Sequence, residues 1–202
     1  MIQQLWDKAW TEYAAGIDLT KARVGGRATK ENPNKEDATF WNRVGPQWVS
    51  HYVDWRKNNS DWKIWVTPQG APAIELGLHF QISGVPIKMV IDRVFDVNGN
   101  LVVVDLKTSQ QTPSSSLQLG FYKFGLNKVL GANVNLGTYW MARQSGTVPL
   151  IDLSTYTDDK IEYLVEKFDF ARKSAIFLPN TNNCNRCSLT EHCQFTSKKE
   201  KK

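Results

Sequence analysis

The residues with the clearest chemical promise are Asp105 and Lys107, flanking Leu106 at the end of the apolar run LVVVDLK. Successive side chains of a β-strand alternate faces, so this spacing sets a carboxylate and an ammonium side by side while Leu106 points into a core. A carboxylate at a strand end can hold Mg2+, which takes oxygen ligands and keeps several waters. A neighbouring lysine is a point charge with movable protons, able to orient or deprotonate a water or to stabilise charge on a phosphate. One carboxylate alone is a poor magnesium site. Asp92, at the end of the apolar run Val90-Ile91, supplies a second, and a shared cation accounts for a charge that would be costly if buried without a partner. Such an ion polarises a phosphate and lowers the pKa of water. The competing reading is a surface ion pair between Asp105 and Lys107, with Asp92 paired to Arg93 or Lys88. For an isolated Asp-x-Lys that is the commoner case.

Three cysteines, Cys184, Cys187 and Cys193, form a second cluster near the C-terminus. An odd, closely spaced set without a secretory signal argues against a disulfide framework and for metal or cluster ligation.

Four kinds of element would have to position these groups. Residues 2–15 read as a helix, with Leu5, Trp6, Ala9, Trp10 and Tyr13 on one face and Gly16 as a stop. It starts directly after Met1 without a capping residue. Residues 24–38 are polar and read as a surface loop. A second helix is expected over 39–57, with Pro46 bending it or splitting it in two. From about residue 62 short β-rich runs follow, and Asn98-Gly99 between two of them is a strong hairpin signal. An antiparallel meander of three strands is expected, with Asp92 before that turn and Asp105 after it. Residues 116–130 read as a helix ended by Gly131, NLGTYWMAR as a strand, and VPLIDLS as a possible further one. A long helix capped by Thr157 or Asp158 precedes the cysteines. Helix 116–130 between two strands favours a parallel connection.

The bulk numbers permit this picture. The chain has 202 residues, is 41% hydrophobic and 22% charged, and holds eight Trp, nine Phe and six Tyr, enough for one sizeable core. No apolar run reaches membrane-spanning length, so no membrane partner is expected. The reading is a protein of the cytoplasm. A formal net charge of +5 is compatible with nucleic acid as partner without establishing it. Part of that excess lies in Lys198, Lys199, Lys201 and Lys202, a basic tail of the kind that is usually just solvated.

Taken together, GVPIKMVIDRVFDVNGNLVVVDLKTS and the following Gln118-Leu119-Gly120-Phe121-Tyr122 resemble the RecB-like exonuclease branch of the PD-(D/E)XK nuclease superfamily. The likeness rests on an Ile-Asp-Arg strand, a Val-Asp-x-Lys-Thr strand and a helix bearing Gln-x-x-x-Tyr. Gln118 and Tyr122 are four apart and share a helix face. The resemblance implies a restriction-endonuclease-like α/β core with a central mixed sheet flanked by helices. It implies Mg2+ or Mn2+ at Asp92 and Asp105, assistance from Lys107, and DNA contacts by Gln118 and Tyr122 near the cleaved phosphate. Glu75, on the strand before the hairpin, matches a glutamate the family often has there, in metal support or in structural pairing. Similar stand-alone nucleases of phages and bacteria serve recombination, DNA repair or CRISPR spacer acquisition, which sets the expected location as a bacterial or phage-infected cell.

Cys184-x2-Cys187-x5-Cys193 resembles the last three cysteines of the [4Fe–4S] nucleases of the CRISPR-associated and AddB kinds. Their fourth cysteine, from the N-terminal region, has no counterpart here, and neither does their upstream histidine. His51 has the wrong context and reads as a packing or surface residue. Three readings stay open: a cluster with a non-cysteine or external fourth ligand, a zinc ion with His192 or another donor, or reduced thiols. The family's N-terminal segment is expected to be missing, with a partner protein or second subunit able to supply it. The expected organisation is an N-terminal helical region over 1–57, the nuclease core over 58–178, and a cysteine loop with basic tail over 179–202. The leading function is a metal-dependent DNA nuclease, most simply an exonuclease. The alternative is a non-catalytic DNA-binding or partner-docking remnant of the same fold.

Overall fold

The computed structural model describes residues 1–21, 24–25, 30, 33, 35–176, 178–180, 184, 187, 189 and 192–196. Residues 26–29, 31, 32 and 34 of the expected 24–38 surface loop, and the Lys198–Lys202 tail, lie outside the described residues.

Helix α1 spans Ile2–Ala14 and has no side-chain cap at its start, as its sequence implies. Its apolar stripe is only half used. Trp6 and Trp10 stack at 5.8 Å, and Trp6 also donates from Nε1 to Asn42 Oδ1 at 2.8 Å. Leu5 and Tyr13 stay exposed. Helix α2 spans Ala38–Asn58, started by Asp37, whose carboxylate accepts from Phe40 N. The expected break at Pro46 does not occur: α2 runs through it as one helix of 21 residues. A proline removes one backbone bond and crowds the preceding turn. Aromatic packing on both sides of Pro46 offsets that: Trp41 meets Trp48 at 5.3 Å, and Tyr52 meets Trp140 of the sheet at 5.1 Å. Gly45, beside the proline, is the seat of the Trp6 ring; a Cβ there would lie 2.0 Å from it.

The sheet has seven strands. β1 is Trp62–Ile64, β2 Ile74–Ile82, β3 Val85–Val97, β4 Asn100–Lys107, β5 Val134–Met141, β6 Gly146–Thr147 and β7 Ile151–Asp152. β2, β3 and β4 form the expected antiparallel meander. Asn98 and Gly99 both take positive φ in the β3–β4 turn, the conformation that Asn-Gly favours, and Asp96 Oδ1 accepts from Gly99 N. β3 is long enough to take two partners in succession, β1 along Phe95–Val97 and β2 along Val85–Arg93. Helix α3, Leu117–Leu130, ends at Gly131 in the left-handed region. It leads into β5, which pairs with β4 in parallel, as a strand–helix–strand passage predicts. The short β6 and β7 both pair antiparallel with β5. Helix α4, Asp158–Lys173, is capped by Thr157.

Helices cover both faces of the sheet. On one, α3 packs on Ile91, Val94, Val103 and Tyr139. Gly120 lets Tyr156 lie against this helix, since a Cβ would meet that ring at 2.5 Å. On the other, Trp48, Tyr52 and Trp55 of α2 cover Phe95, Val102, Val104 and Trp140. The architecture is thus α/β with a mixed sheet between helices. Among the described residues no helix is long and apolar enough to cross a membrane.

Candidate active site

β4 carries the site because its inner residues alternate between the two cores. Val103 belongs to the α3 side, while Val102 and Val104 belong to the α2 side. Asp105 therefore turns toward α3, Leu106 toward α2, and Lys107 back toward α3. Asp105 is almost fully enclosed, with a side chain 3% exposed. The ion pair of the competing reading is present, at 2.7 Å, but its carboxylate is enclosed.

Its two oxygens have different surroundings. Oδ1 accepts from Gln118 Nε2 at 2.7 Å and faces the Tyr122 hydroxyl at 3.4 Å. Oδ2 lies 2.7 Å from Lys107 Nζ, yet it is buried without a well-formed hydrogen bond among the described residues. Lys107 Nζ donates to Gln118 Oε1 at 3.0 Å, and Gln118 Nε2 also reaches Tyr122 Oη at 2.7 Å. Gln118 is thus the hub that ties the carboxylate, the ammonium and the phenol together. Burial, with help from the charges of Asp105 and Asp92, pushes the Tyr122 phenol up to about 12. It remains a hydrogen-bond donor at neutral pH.

Asp92 sits where β3 leaves β4 for β2. Its Oδ2 accepts from Leu106 N at 2.7 Å, so the carboxylate stands in for a strand carbonyl. Burial is the main force raising its pKa above the ordinary aspartate value. The Leu106 N–H opposes that rise, while the charges of Asp105 and Glu75 add to it. Asp92 and Asp105 are therefore close enough to repel each other. Glu75 lies across from Asp92 in the β2–β3 pair, at a point where the register skips both residues and Glu75 takes a φ of 48°. Its carboxylate pairs with Arg93 at 3.2 Å and its side chain is 62% exposed. Structural pairing is what these contacts display.

The two aspartates fit a divalent cation. Asp105 offers an enclosed, poorly satisfied oxygen, and two mutually repelling carboxylates gain from a shared counter-charge. Mg2+ commonly takes one or two carboxylates and fills its remaining places with water and phosphate. His51 is exposed and shares a hydrogen bond with Ser145 Oγ, at 2.8 Å, at the surface.

The cysteines behave differently. Cys184, Cys187 and Cys193 line one cavity of about 560 Å3 together with His192. Cys184 is buried and Cys187 exposed, and none forms a disulfide among the described residues. Among the described residues no group of three or more His, Cys, Asp or Glu that could hold a metal ion is found, at the cysteines or at the aspartates.

Two features escaped the sequence reading. Arg93, expected either in Ile-Asp-Arg or as a partner of the Asp92 carboxylate, instead bridges Glu75 and the carbonyl of Asp92. An aromatic cavity of about 390 Å3 opens on the α2 side beside Leu106, Lys107 and Thr108. The concentration of Trp in the two N-terminal helices was its only signal.

Residues 2–194 match the PD-(D/E)XK nuclease superfamily. The chain is 30% identical to the Gene 69 protein of Mycobacterium phage D29, over 92% of this chain and 79% of that one. It is 28% identical to the Gene 69 protein of Mycobacterium phage L5, over 74% of this chain and 60% of that one. Among solved structures, that of SSO0001 aligns over 98% of both chains with 14% identity and a TM-score of 0.46.

Proposed function

The chain belongs to the PD-(D/E)XK nuclease superfamily, and from that premise we propose that it is a Mg2+- or Mn2+-dependent exodeoxyribonuclease acting at Asp92, Asp105 and Lys107. The observation that carries the proposal is the enclosed Asp105 Oδ2, set against Lys107 and close to a second carboxylate. Asp92 and Asp105 would hold the ion, which when bound polarises the scissile phosphate and makes a water a competent nucleophile.

The protein's own groups then have separable roles. Leu106 N–H holds one oxygen of the Asp92 carboxylate and so limits the rotamers open to it. Gln118 holds Asp105 by its amide nitrogen and Lys107 by its amide oxygen, fixing their separation. Lys107 would leave Asp105 for an incoming phosphate oxygen or orient the attacking water, and either role suits a compact ammonium on a flexible stem. Tyr122, kept protonated, donates toward Asp105 or a phosphate. Glu75 would act through Arg93 and not as a ligand. DNA is the proposed partner, and the phage relatives favour the cytoplasm of an infected cell as the setting.

Digestion of linear and covalently closed DNA with and without Mg2+ tests this reading. Cleavage of linear DNA alone, lost on chelation, is the expected result. No cleavage with either Mg2+ or Mn2+ would remove the enzyme and leave the second reading, a DNA-binding or docking protein. One observation favours that alternative: Lys107 already neutralises Asp105 at 2.7 Å, and Gln118 bonds to both, without an ion. An iron–sulfur or zinc site at the cysteines, and a protein partner, are separate proposals. Metal analysis and co-purification decide them.

A further inference from the structure

Gln118 sits in the first turn of α3. That is the least secured part of any helix, since its opening N–H groups have no intrahelical acceptor. The cap residue, Ser116, makes no side-chain capping bond of its own. The start of α3 is held from outside instead. Tyr139 Oη donates to the carbonyl of Ser115 at 3.0 Å. Ser115 Oγ in turn accepts from Leu117 N at 3.2 Å and so takes up one opening N–H. Beside it, Ser116 Oγ meets Tyr156 Oη at 2.9 Å.

Tyr139 differs from Tyr156 in reaching the other half of the site as well. It stands opposite Asp105 in the parallel β4–β5 pair and is 1% exposed. Lys107 Nζ lies 5.9 Å from its ring centroid, at the outer range of a cation–π contact. One buried side chain thus meets the lysine with its ring and the helix start with its hydroxyl. Gln118 spans the same two elements, with Nε2 on Asp105 and Oε1 on Lys107. The gap that Gln118 bridges depends on where α3 begins relative to β4, and the Tyr139–Ser115 bond ties that beginning to the strand next to β4.

We propose that Tyr139 is a positioning residue for cleavage: its hydroxyl anchors the start of α3 and acts on the reaction only through Gln118. The reaction itself rests on the nuclease reading above; the anchor rests on the bond to Ser115. Ser115 is exposed, so water can replace the phenol at its carbonyl. Tyr139→Phe therefore keeps the core ring and leaves no buried acceptor unpaired.

Two measurements on the full chain test this. The first needs no activity. Amide hydrogen exchange at Leu117 and Gly120, in chelator, should be about five-fold faster in Tyr139→Phe, the scale of one hydrogen bond. Exchange in the last turn of α3 should not change. Ser115→Ala breaks the next link at an exposed position and should reproduce the effect at Leu117. The second measurement is cleavage of linear DNA with Mg2+. Tyr139→Phe should lower kcat about five-fold and leave KM near the wild-type value. In a Gln118→Ala background the same substitution should change kcat by less than about two-fold, because the route it acts through is gone. A loss that is merely structural would appear equally in both backgrounds. Unchanged exchange at Leu117 and Gly120, an unchanged kcat, or equal losses with and without Gln118 overturns the proposal. In a chain that never cleaves DNA the nuclease reading falls, and the exchange result alone decides whether Tyr139 anchors α3.

Discussion

Two sets of residues in this chain have the types and spacing to hold a metal, and the fold treats them differently. Asp92 and Asp105 come from paired strands, and each is positioned by bonds that exist without an ion: Leu106 N–H for one, Gln118 for the other. The cysteines come from one short segment and line a common cavity with His192. A thiolate site within a single loop has few long-range contacts to shape it, and such sites usually take form only with their metal. A site on strands is built by register before any ligand arrives. Sequence spacing alone therefore says less about readiness than the element that carries the residues.

The largest expected effect tests that contrast directly. Asp105→Asn or Lys107→Ala should lower Mg2+-dependent cleavage by about a thousand-fold, the scale of removing a preorganised charged group. Cys184→Ser should leave cleavage near the wild-type rate in the same assay. Loss of activity in the cysteine variant, with retention in the other two, would invert the comparison.

Gln118 comes next. Gln118→Ala should slow cleavage about 10- to 100-fold, as expected for a group that orients others without reacting. Tyr122→Phe, losing one donor that sits 3.4 Å from Asp105, should do less. Rates measured at saturating DNA separate this positioning effect from weaker binding. If Gln118→Ala cuts at the wild-type rate, Asp105 and Lys107 hold their places without the hub.

How much of this was legible beforehand follows from the range of each interaction. Asn98-Gly99, the alternation of β4 and the stop at Gly131 are local signals, and the hairpin, the Asp105–Lys107 face and the α3–β5 passage came from them. The expected three-strand meander is β2, β3 and β4, but that β3 also carries β1 on the same edge depends on its length and on residues some 30 positions away. The continuity of α2 through Pro46 rests on contacts to α1 and β5 that no local pattern announces. Arg143 pairs with Glu36 at 2.9 Å across most of the core, a contact that exists only after folding. In the site, residue types were readable, while burial of Asp105 and the hub role of Gln118 were not. Both need the distance between a strand and a helix.

A smaller effect concerns the metal-free protein. Mg2+ should raise the melting temperature of the wild type, by an amount equivalent to about 2.7 kcal/mol at a hundred-fold excess over Kd. Asp92→Asn and Asp105→Asn should lose most of that shift. The cysteine variant should keep it. Iron or zinc bound in proportion to protein and lost in Cys184→Ser, with Mg2+ shifts intact, would place two independent metals on one chain.

The finest test is the pH dependence of the metal-free fold. The folded chain raises the pKa of Asp92, chiefly by burial and further by the charges of Asp105 and Glu75. A group whose pKa is higher folded than unfolded binds its proton more tightly in the native state. Its contribution to stability is fully present below the unfolded pKa and is lost as pH rises through the folded value. Metal-free wild type should therefore lose stability over the interval just above the ordinary aspartate range. Asp92→Asn should flatten that part of the curve, because an amide oxygen can still accept from Leu106 N while carrying no charge. Melting temperatures of both proteins across that interval, in chelator, give the comparison. A curve for Asp92→Asn parallel to wild type would mean that Asp92 titrates as it does in an unfolded chain, and the case for two mutually repelling, preformed ligands would fail with it.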